Sequence, residues 1–367
     1  MNITVRSSLL RGPAVASLLV GLAIPMITLA SGWQTVEPGG KTVCSDGSPY
    51  RFFTRAGDPD KLLVYFQGGG ACWFPENCDT HLSPSYKDNV AEDDPSRYRG
   101  IFELDNPDNP FASYSMVLAP YCTADVHLGD RDTTYDAPAG EDHEPHPVTI
   151  HHRGFVNVAA VLGWTYQAHP APAQIVVTGS SAGSIPSPYY AWQIAEHYPQ
   201  AQVAQLGDAS GGYRRSSTTN GARMFQWGTL DYLRARHPEF QGVADESFTY
   251  ELLYIEAAKA RPDILFAEYD AAEDRVQKRF LAMGGSRTTT LLELLRLNQQ
   301  DIRGEVTNFV SYIAPGDSHT ILGRPDFYTT TVDGIRFRDW IADLAAHKPV
   351  PDVRCDPCLE SSDASVE

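Results

Sequence analysis

The chain has 367 residues, 42% hydrophobic and 20% charged, so it can build a packed core and is not a disordered segment. Its 29 Lys and Arg stand against 46 Asp and Glu, a formal net charge of −17. That acidity argues against nucleic acid as a partner, which needs a basic footprint, and against docking on anionic membranes.

Residues 1–30 read as a secretory signal. Arg6 and Arg11 open it, an apolar stretch runs from Ala14 to Leu29, and Thr28-Leu29-Ala30 leads to an expected cut after Ala30. The mature chain is then secreted or periplasmic. No other stretch is long and apolar enough to span a bilayer. All six cysteines follow the cut, and an even number in an exported chain predicts disulfides. Cys355 and Cys358 form a CxxC in an acidic tail, without the strand-to-helix setting of a redox motif. One CxxC also supplies only two zinc ligands, so a structural tie is expected. The expected organisation is a catalytic domain over 31–348 and a tail over 349–367.

Short apolar strands alternate with helical stretches. Leu62 to Phe66 reads as a strand ending at Gly68-Gly69-Gly70, and Tyr114 to Ala119 as a second. Gly154 to Gln167 has helical spacing. Gln174 to Thr178 is a strand entering Gly179, followed by a helix from Ser184 to His197 with prolines near its start. Strands are expected at Ala201 to Leu206, Asp263 to Phe266 and Thr307 to Ala314. Helices are expected through Val276 and Phe280 and from Gly334 to Ala346. The polar stretches Pro75 to Pro110 and Asp130 to Pro147 read as surface loops. The alternation predicts an α/β fold with a mainly parallel sheet, helices on both faces and loop insertions.

Gly179-Ser180-Ser181-Ala182-Gly183 matches G-x-S-x-G between an apolar strand and a helix, the setting of a nucleophile elbow. Ser181 is the expected nucleophile, and Ser180 should point elsewhere. A serine hydroxyl needs a base, and in this fold class acid and His follow the Ser in that order. Of the four downstream histidines, His197, His237 and His347 sit at expected helix ends, near terminal carbonyls. His319 follows a strand and the turn Pro315-Gly316-Asp317-Ser318, on the side where open α/β sheets place their sites. It is the expected base. Asp270, Glu273 and Asp274 all follow Phe266, and composition does not separate them. Asp317 is too near His319 in sequence to serve well. Backbone donors for an oxyanion are expected at Gly69, Gly70 and Ala182.

Other polar residues have weaker claims. Asp208 reads as a turn cap, and Asp125 and His127 as residues able to line a pocket. His143, His146, His151 and His152, with Asp142 and Glu144, match no compact zinc motif, so neither metal nor cofactor is expected.

Several ordered motifs together resemble the pectinacetylesterase family, which includes the carboxylesterase Notum. They are Gln67-Gly68-Gly69-Gly70-Ala71-Cys72-Trp73 with Cys78, Ala119-Pro120-Tyr121-Cys122 with Thr123 to His127, His152-Arg153-Gly154 and the Ser181 motif. Asp208-Ala209-Ser210-Gly211, Asp274-Arg275-Val276-Gln277 and Ser318-His319-Thr320 complete the set. The resemblance runs from about Thr42 to Leu344. It implies an α/β-hydrolase-like fold and a Ser–Asp–His triad whose acid lies in a D-x-x-Q segment, which favours Asp274 over Asp270. It also implies disulfides Cys72–Cys78 and Cys44–Cys122, leaving Cys355–Cys358. One departure concerns the acyl pocket: family members carry a Trp just before the first cysteine of the glycine loop, and here it stands at Trp73.

The expected function is a secreted serine carboxylic-ester hydrolase, acting on carbohydrate acetates or small acyl esters without a cofactor. Its partner would be an ester substrate, such as an acylated carbohydrate. No membrane span is expected after signal removal. The alternatives are an esterase for longer acyl chains, lipase- or Notum-like, and a catalytically silent extracellular binding module. Pectin is a polyanion, and the chain's own acidity opposes its approach at low salt.

Overall fold

Side chains alternate across the strand Asp58–Phe66. Leu62, Val64 and Phe66 enter one apolar cluster, and Leu63 and Tyr65 enter another. A strand buried on both faces belongs in the middle of a covered sheet. The computed structural model describes residues 32–82, 84–140, 143–213, 226–286, 290–356 and 358. The signal expected over residues 1–30 and the tail beyond 358 lie outside them.

The first part of the described chain holds strands β1 (Gln34–Val36), β2 (Phe52–Arg55) and β3 (Asp58–Phe66), the one-turn helix α1 (Pro75–Cys78) and β4 (Tyr114–Ala119). Then come β5 (Arg131–Ala137), β6 (His146–His152), α2 (Gly154–Ala168), β7 (Gln174–Ser180), α3 (Ser187–His197) and β8 (Gln202–Asp208). Helices α4 (Thr229–Arg236) and α5 (Glu251–Ala260) precede β9 (Phe266–Ala271), α6 (Arg275–Met283), α7 (Leu291–Glu305) and β10 (Phe309–Ala314). The last elements are β11 (Thr331–Val332), β12 (Ile335–Arg336), α8 (Phe337–Ala345) and β13 (Val353–Arg354).

Nine strands form one sheet in the order β1-β2-β4-β3-β7-β8-β9-β10-β13. Every pairing from β4 to β13 is parallel, and β1 and β2 extend the sheet antiparallel. Val158 and Val161 of α2, Tyr190 and Ile194 of α3, and Leu253 and Ala257 of α5 pack in the first cluster. Phe337, Trp340 and Ile341 of α8 pack with Leu291 and Leu295 of α7 in the second. Each such side chain, fully buried, contributes about 1.5–3 kcal/mol. The sheet is the mainly parallel, α/β-hydrolase-like one expected, with helices on both faces.

Several elements differ from expectation. The strand expected at Asp263 to Phe266 begins where it was to end. Glu268 and Asp270 lie inside β9, and their polarity breaks the apolar run that marks a strand. Asp130 to Pro147 is not all loop: β5 pairs with β6 from Arg131↔His152 to Ala137↔His146. Its polar and exposed side chains alternate with buried Tyr135, Ala137, Ile150 and His152. The last helix starts at Phe337 because Asp333-Gly334, both at positive φ, make the hairpin turn between β11 and β12. Helices α4, α5 and α7 and strands β1 and β2 were not anticipated. The tail segment places β13 beside β10, with Cys355 N–H donating to Ile313 O at 3.1 Å.

The three disulfides are Cys44–Cys122, Cys72–Cys78 and Cys355–Cys358, as expected. Cys44–Cys122 closes a sequence separation of 78 residues. Replacing both with Ser should lower unfolding stability by about 2–4 kcal/mol, read as a fall in the urea midpoint of the oxidised protein. An unchanged midpoint would show that this cross-link restrains nothing in the unfolded chain.

Candidate active site

Four neighbouring strands, β7 to β10, end at one edge and deliver the residues that matter. β7 runs straight into Ser181, whose φ is +54°. A serine in the left-handed region costs about 1–3 kcal/mol and persists only when its surroundings over-determine it. Here they do. A Cβ at Gly183 would stand 2.1 Å from Phe66 O, and one at Gly68 would stand 2.8 Å from Ser181 Cβ. Only glycine lets the ends of β3 and β7 approach this closely. Ser184 N–H then donates to Ser181 O at 2.9 Å and closes the turn.

Asp274 and His319 meet at the ends of β9 and β10. Three backbone bonds knit their loops: Ala272 N–H to Ala314 O, Glu273 N–H to Gly316 O and Arg275 N–H to Asp317 O. His319 Nδ1 lies 2.7 Å from Asp274 Oδ2. Asp274 is buried and caps α6, accepting from Val276 N–H at 2.8 Å and Gln277 N–H at 3.1 Å. His319 Nε2 is also buried and makes no hydrogen bond among the described residues. Asp270, the other candidate acid, does not touch His319. Its Oδ1 accepts from Gly211 N–H and Gln277 Nε2, and its Oδ2 crowds against Gly211 beside Glu268 Oε2. Burial pushes both carboxyls well above their ordinary range, helped at Asp270 by the charge of Glu268 and at Glu268 by that of Glu251.

Asp208 joins the Ser181 turn to the His319 loop. Its carboxylate accepts from Ser180 Oγ at 2.6 Å, Ile321 N–H at 3.0 Å and Leu322 N–H at 3.1 Å. Burial raises the Asp208 carboxyl to about 6, against the pull of these donors. The role goes beyond the turn cap expected, because the donors lie on two other loops. Gln277 was legible only as part of a motif. Its amide spans Asp270 Oδ1 and Asp274 Oδ2, while its Oε1 accepts from Gly212 N–H at 2.9 Å. An Asp at the N-cap with Gln three residues on is the available signal, since that spacing stacks the two over one helix start.

Ser181, Gly70 and Ala182 line one cavity of about 30 Å³. Its walls are apolar and include Ala71, Trp73, Val126, Ile185 and Phe280. Trp73 is buried and lines this wall beside Phe280. Gly69 lies one residue back, against Tyr121, with its carbonyl accepting from Lys87 N–H. Gln67 anchors the glycine loop: its Oε1 accepts from Tyr121 N–H and Lys87 Nζ, and its carbonyl from His127 Nε2–H.

Asp125 and His127 stand behind the wall, and Val126 between them reaches the cavity. Asp125 accepts from Gly154 N–H at the start of α2, Thr123 Oγ and His127 N–H. Burial raises its carboxyl to about 7 and lowers His127 to about 4. His197 stacks on Tyr166, and His237 meets Tyr189 Oη, so neither caps helix carbonyls as expected. His151 pairs with Asp132, and His152 sits between Tyr135 Oη and Thr123 O.

A family model described as pectinacetylesterase matches residues 34–238. The chain belongs to the pectinacetylesterase family. The matched span takes in the glycine loop and Ser181 and stops before Asp274 and His319. Among curated relatives, palmitoleoyl-protein carboxylesterase NOTUM of Mus musculus is 31% identical over 90 residues, 23% of this chain and 18% of the relative. The Homo sapiens protein of that name is 30% identical over 90 residues, with the same shares. The likeness to these two thus spans less than a fifth of their length.

The two buried aspartates should respond unequally to amidation. Asp208→Asn puts an NH2 group among three donors and should cost about 2–4 kcal/mol in urea unfolding. Asp270→Asn keeps an acceptor for Gly211 and Gln277 and turns a donor toward Glu268, so it should cost less than about 1 kcal/mol. Equal losses would show that the partners assigned to the two carboxylates are wrong.

Proposed function

We propose that this pectinacetylesterase-family chain is an exported serine carboxylic-ester hydrolase with Ser181, Asp274 and His319 as its triad. The observation that carries the reading is the His319–Asp274 contact at 2.7 Å, beyond the same edge of the sheet at which β7 delivers a serine at positive φ. Asp274 accepts from Nδ1–H, which leaves the buried Nε2 as the lone-pair nitrogen able to take a proton. Ser181 Oγ attacks the ester carbonyl and its proton passes to Nε2. Gly69, Gly70 and Ala182 N–H groups hold the oxyanion, and each such donor supplies about 3–4 kcal/mol in the transition state. The imidazolium, steadied by Asp274, then protonates the leaving alcohol. Water enters by the same base catalysis and frees the acyl group. The site asks for no metal and no cofactor.

The acyl group should be short. The cavity beside Ser181 is walled by the large side chains of Trp73, Trp227, Tyr250 and Phe280. Bulk this close to the nucleophile suits a short acyl group. Acetates of carbohydrates or other small acyl esters are therefore the preferred substrates. The chain's acidity disfavours polyanionic alcohols such as pectin at low salt. Three disulfides agree with an exported protein, and no described helix is long and apolar enough to cross a membrane.

Ser181→Ala should abolish both fluorophosphonate labelling and turnover of p-nitrophenyl acetate, with an unchanged circular dichroism spectrum. Labelling that persists in this variant would remove Ser181 from the mechanism, and a folded wild type that never labels would favour a binding module. A second measurement tests the acyl chain. Across p-nitrophenyl acetate, butyrate, octanoate and palmitate, kcat/KM should fall by about 10-fold or more beyond the shortest members. A rise toward octanoate or palmitate would instead support the longer-chain esterase.

A further inference from the structure

Asp79 closes the disulfide loop at the end of α1, and its side chain is fully buried. Oδ2 nevertheless makes no hydrogen bond among the described residues. Facing this carboxylate are His143 Nε2, 3.7 Å from Oδ2, and His146 Nε2, 3.6 Å from Oδ1. Both separations exceed a hydrogen bond, which runs to about 3.2 Å for nitrogen and oxygen. His143 Nε2 is itself buried and unpartnered.

The far sides of the rings say which atoms face inward. His143 Nδ1 lies 3.2 Å and His146 Nδ1 3.1 Å from the same backbone carbonyl, that of Glu144. A carbonyl only accepts, so both Nδ1 atoms carry protons. In the neutral rings both Nε2 atoms then present lone pairs to a carboxylate. Three acceptors aimed at one point repel unless a cation sits among them. One potential ligand atom from each of the three residues lies within 4.8 Å of the others. Around a tetrahedral ion with bonds of about 2.1 Å, ligand atoms stand about 3.4 Å apart, close to what is seen.

We propose that Asp79, His143 and His146 bind a divalent first-row transition metal ion of the zinc type. Two imidazoles and one carboxylate suit such an ion, whereas calcium and magnesium take oxygen ligands. Hydrogen bonding of both outer ring nitrogens to a carbonyl is the arrangement that orients metal-binding histidines. The exposed His81, its ring centroid 5.3 and 5.2 Å from those of His143 and His146, borders the cluster. It or a water supplies the fourth ligand.

None of the three ligands lines the Ser181 cavity, so the ion is a clamp and not a reactant. It ties the Cys72–Cys78 loop, which carries Trp73 of the cavity wall, to the first residue of β6. The spacing of the histidines in sequence gave no such site, because Asp79 lies more than 60 residues from either.

The test uses the full mature chain stripped with chelator and dialysed. Zinc chloride titrated calorimetrically should bind at one ion per chain and raise the thermal unfolding midpoint. Asp79→Asn and His146→Gln should each weaken zinc binding by about 10-fold or more and remove the thermal shift. Circular dichroism checks that the variants are folded. Absence of saturable zinc binding by the stripped wild type, or equal affinity in both folded variants, overturns the proposal. Cobalt(II) provides a readout needing no variant. The stripped wild type should show intense visible bands of tetrahedral cobalt that zinc displaces, and a weak octahedral spectrum alone overturns the site.

Discussion

The parallel pairing of β7, β8, β9 and β10 is the constraint on which the site depends. Parallel strands end together, so residues that follow them in sequence come out on one edge however far apart they lie along the chain. Ser181, Asp208, Asp274 and His319 each sit at or just beyond the end of one of these strands. Asp208 then does what sheet pairing alone does not. Its buried carboxylate draws Ser180 and the backbone of Ile321 and Leu322 to a single point. The Ser181 turn and the His319 loop therefore have a common anchor, and the desolvation of that carboxylate is offset by donors from both.

The two other carboxylates nearby have different surroundings and different consequences. Asp274 is surrounded by donors, two from the start of α6, one from Gln277 and one from His319. Asp270 has donors on one oxygen and Glu268 near the other, so burial and repulsion favour its protonated form. Residue type is the same in both cases, and neighbours separate the roles. The walls follow a similar rule. Disulfides and buried hydrogen bonds hold segments without regular structure: Cys72–Cys78 below Trp73, Gln67 beneath the glycine loop, and Asp125 at the start of α2.

Much of the fold could be read from apolar runs and their spacing. The core strands β3, β4, β7, β8 and β10 each contain an apolar run, and helices α2 and α3 follow their expected spans. The misreadings share a cause. β9 carries Glu268 and Asp270, and β5 carries Asp132, Thr133, Thr134 and Asp136, so neither looks apolar until its neighbours are known. β1 and β13 are short edge strands and β2 is the short strand inside β1, and pairing, not composition, makes all three strands.

For the proposed site, local pattern was enough to place the turn at Ser181, because G-x-S-x-G between strand and helix is a statement about one turn. The glycine loop and His319 were legible for the same reason, as short segments after strands. Three contacts were not local and needed the tertiary structure. The choice between Asp270 and Asp274 rests on which carboxylate faces His319. The reach of Asp208 rests on donors more than a hundred residues away. The gathering of Asp79 with His143 and His146 rests on docking α1 against the β5–β6 hairpin. By itself the sequence determined most of the core strands, the turn that carries Ser181 and the acidity of the chain. Which buried polar groups face one another was decided only by packing, because a hydrogen bond depends on distance in space and leaves no periodicity in the sequence.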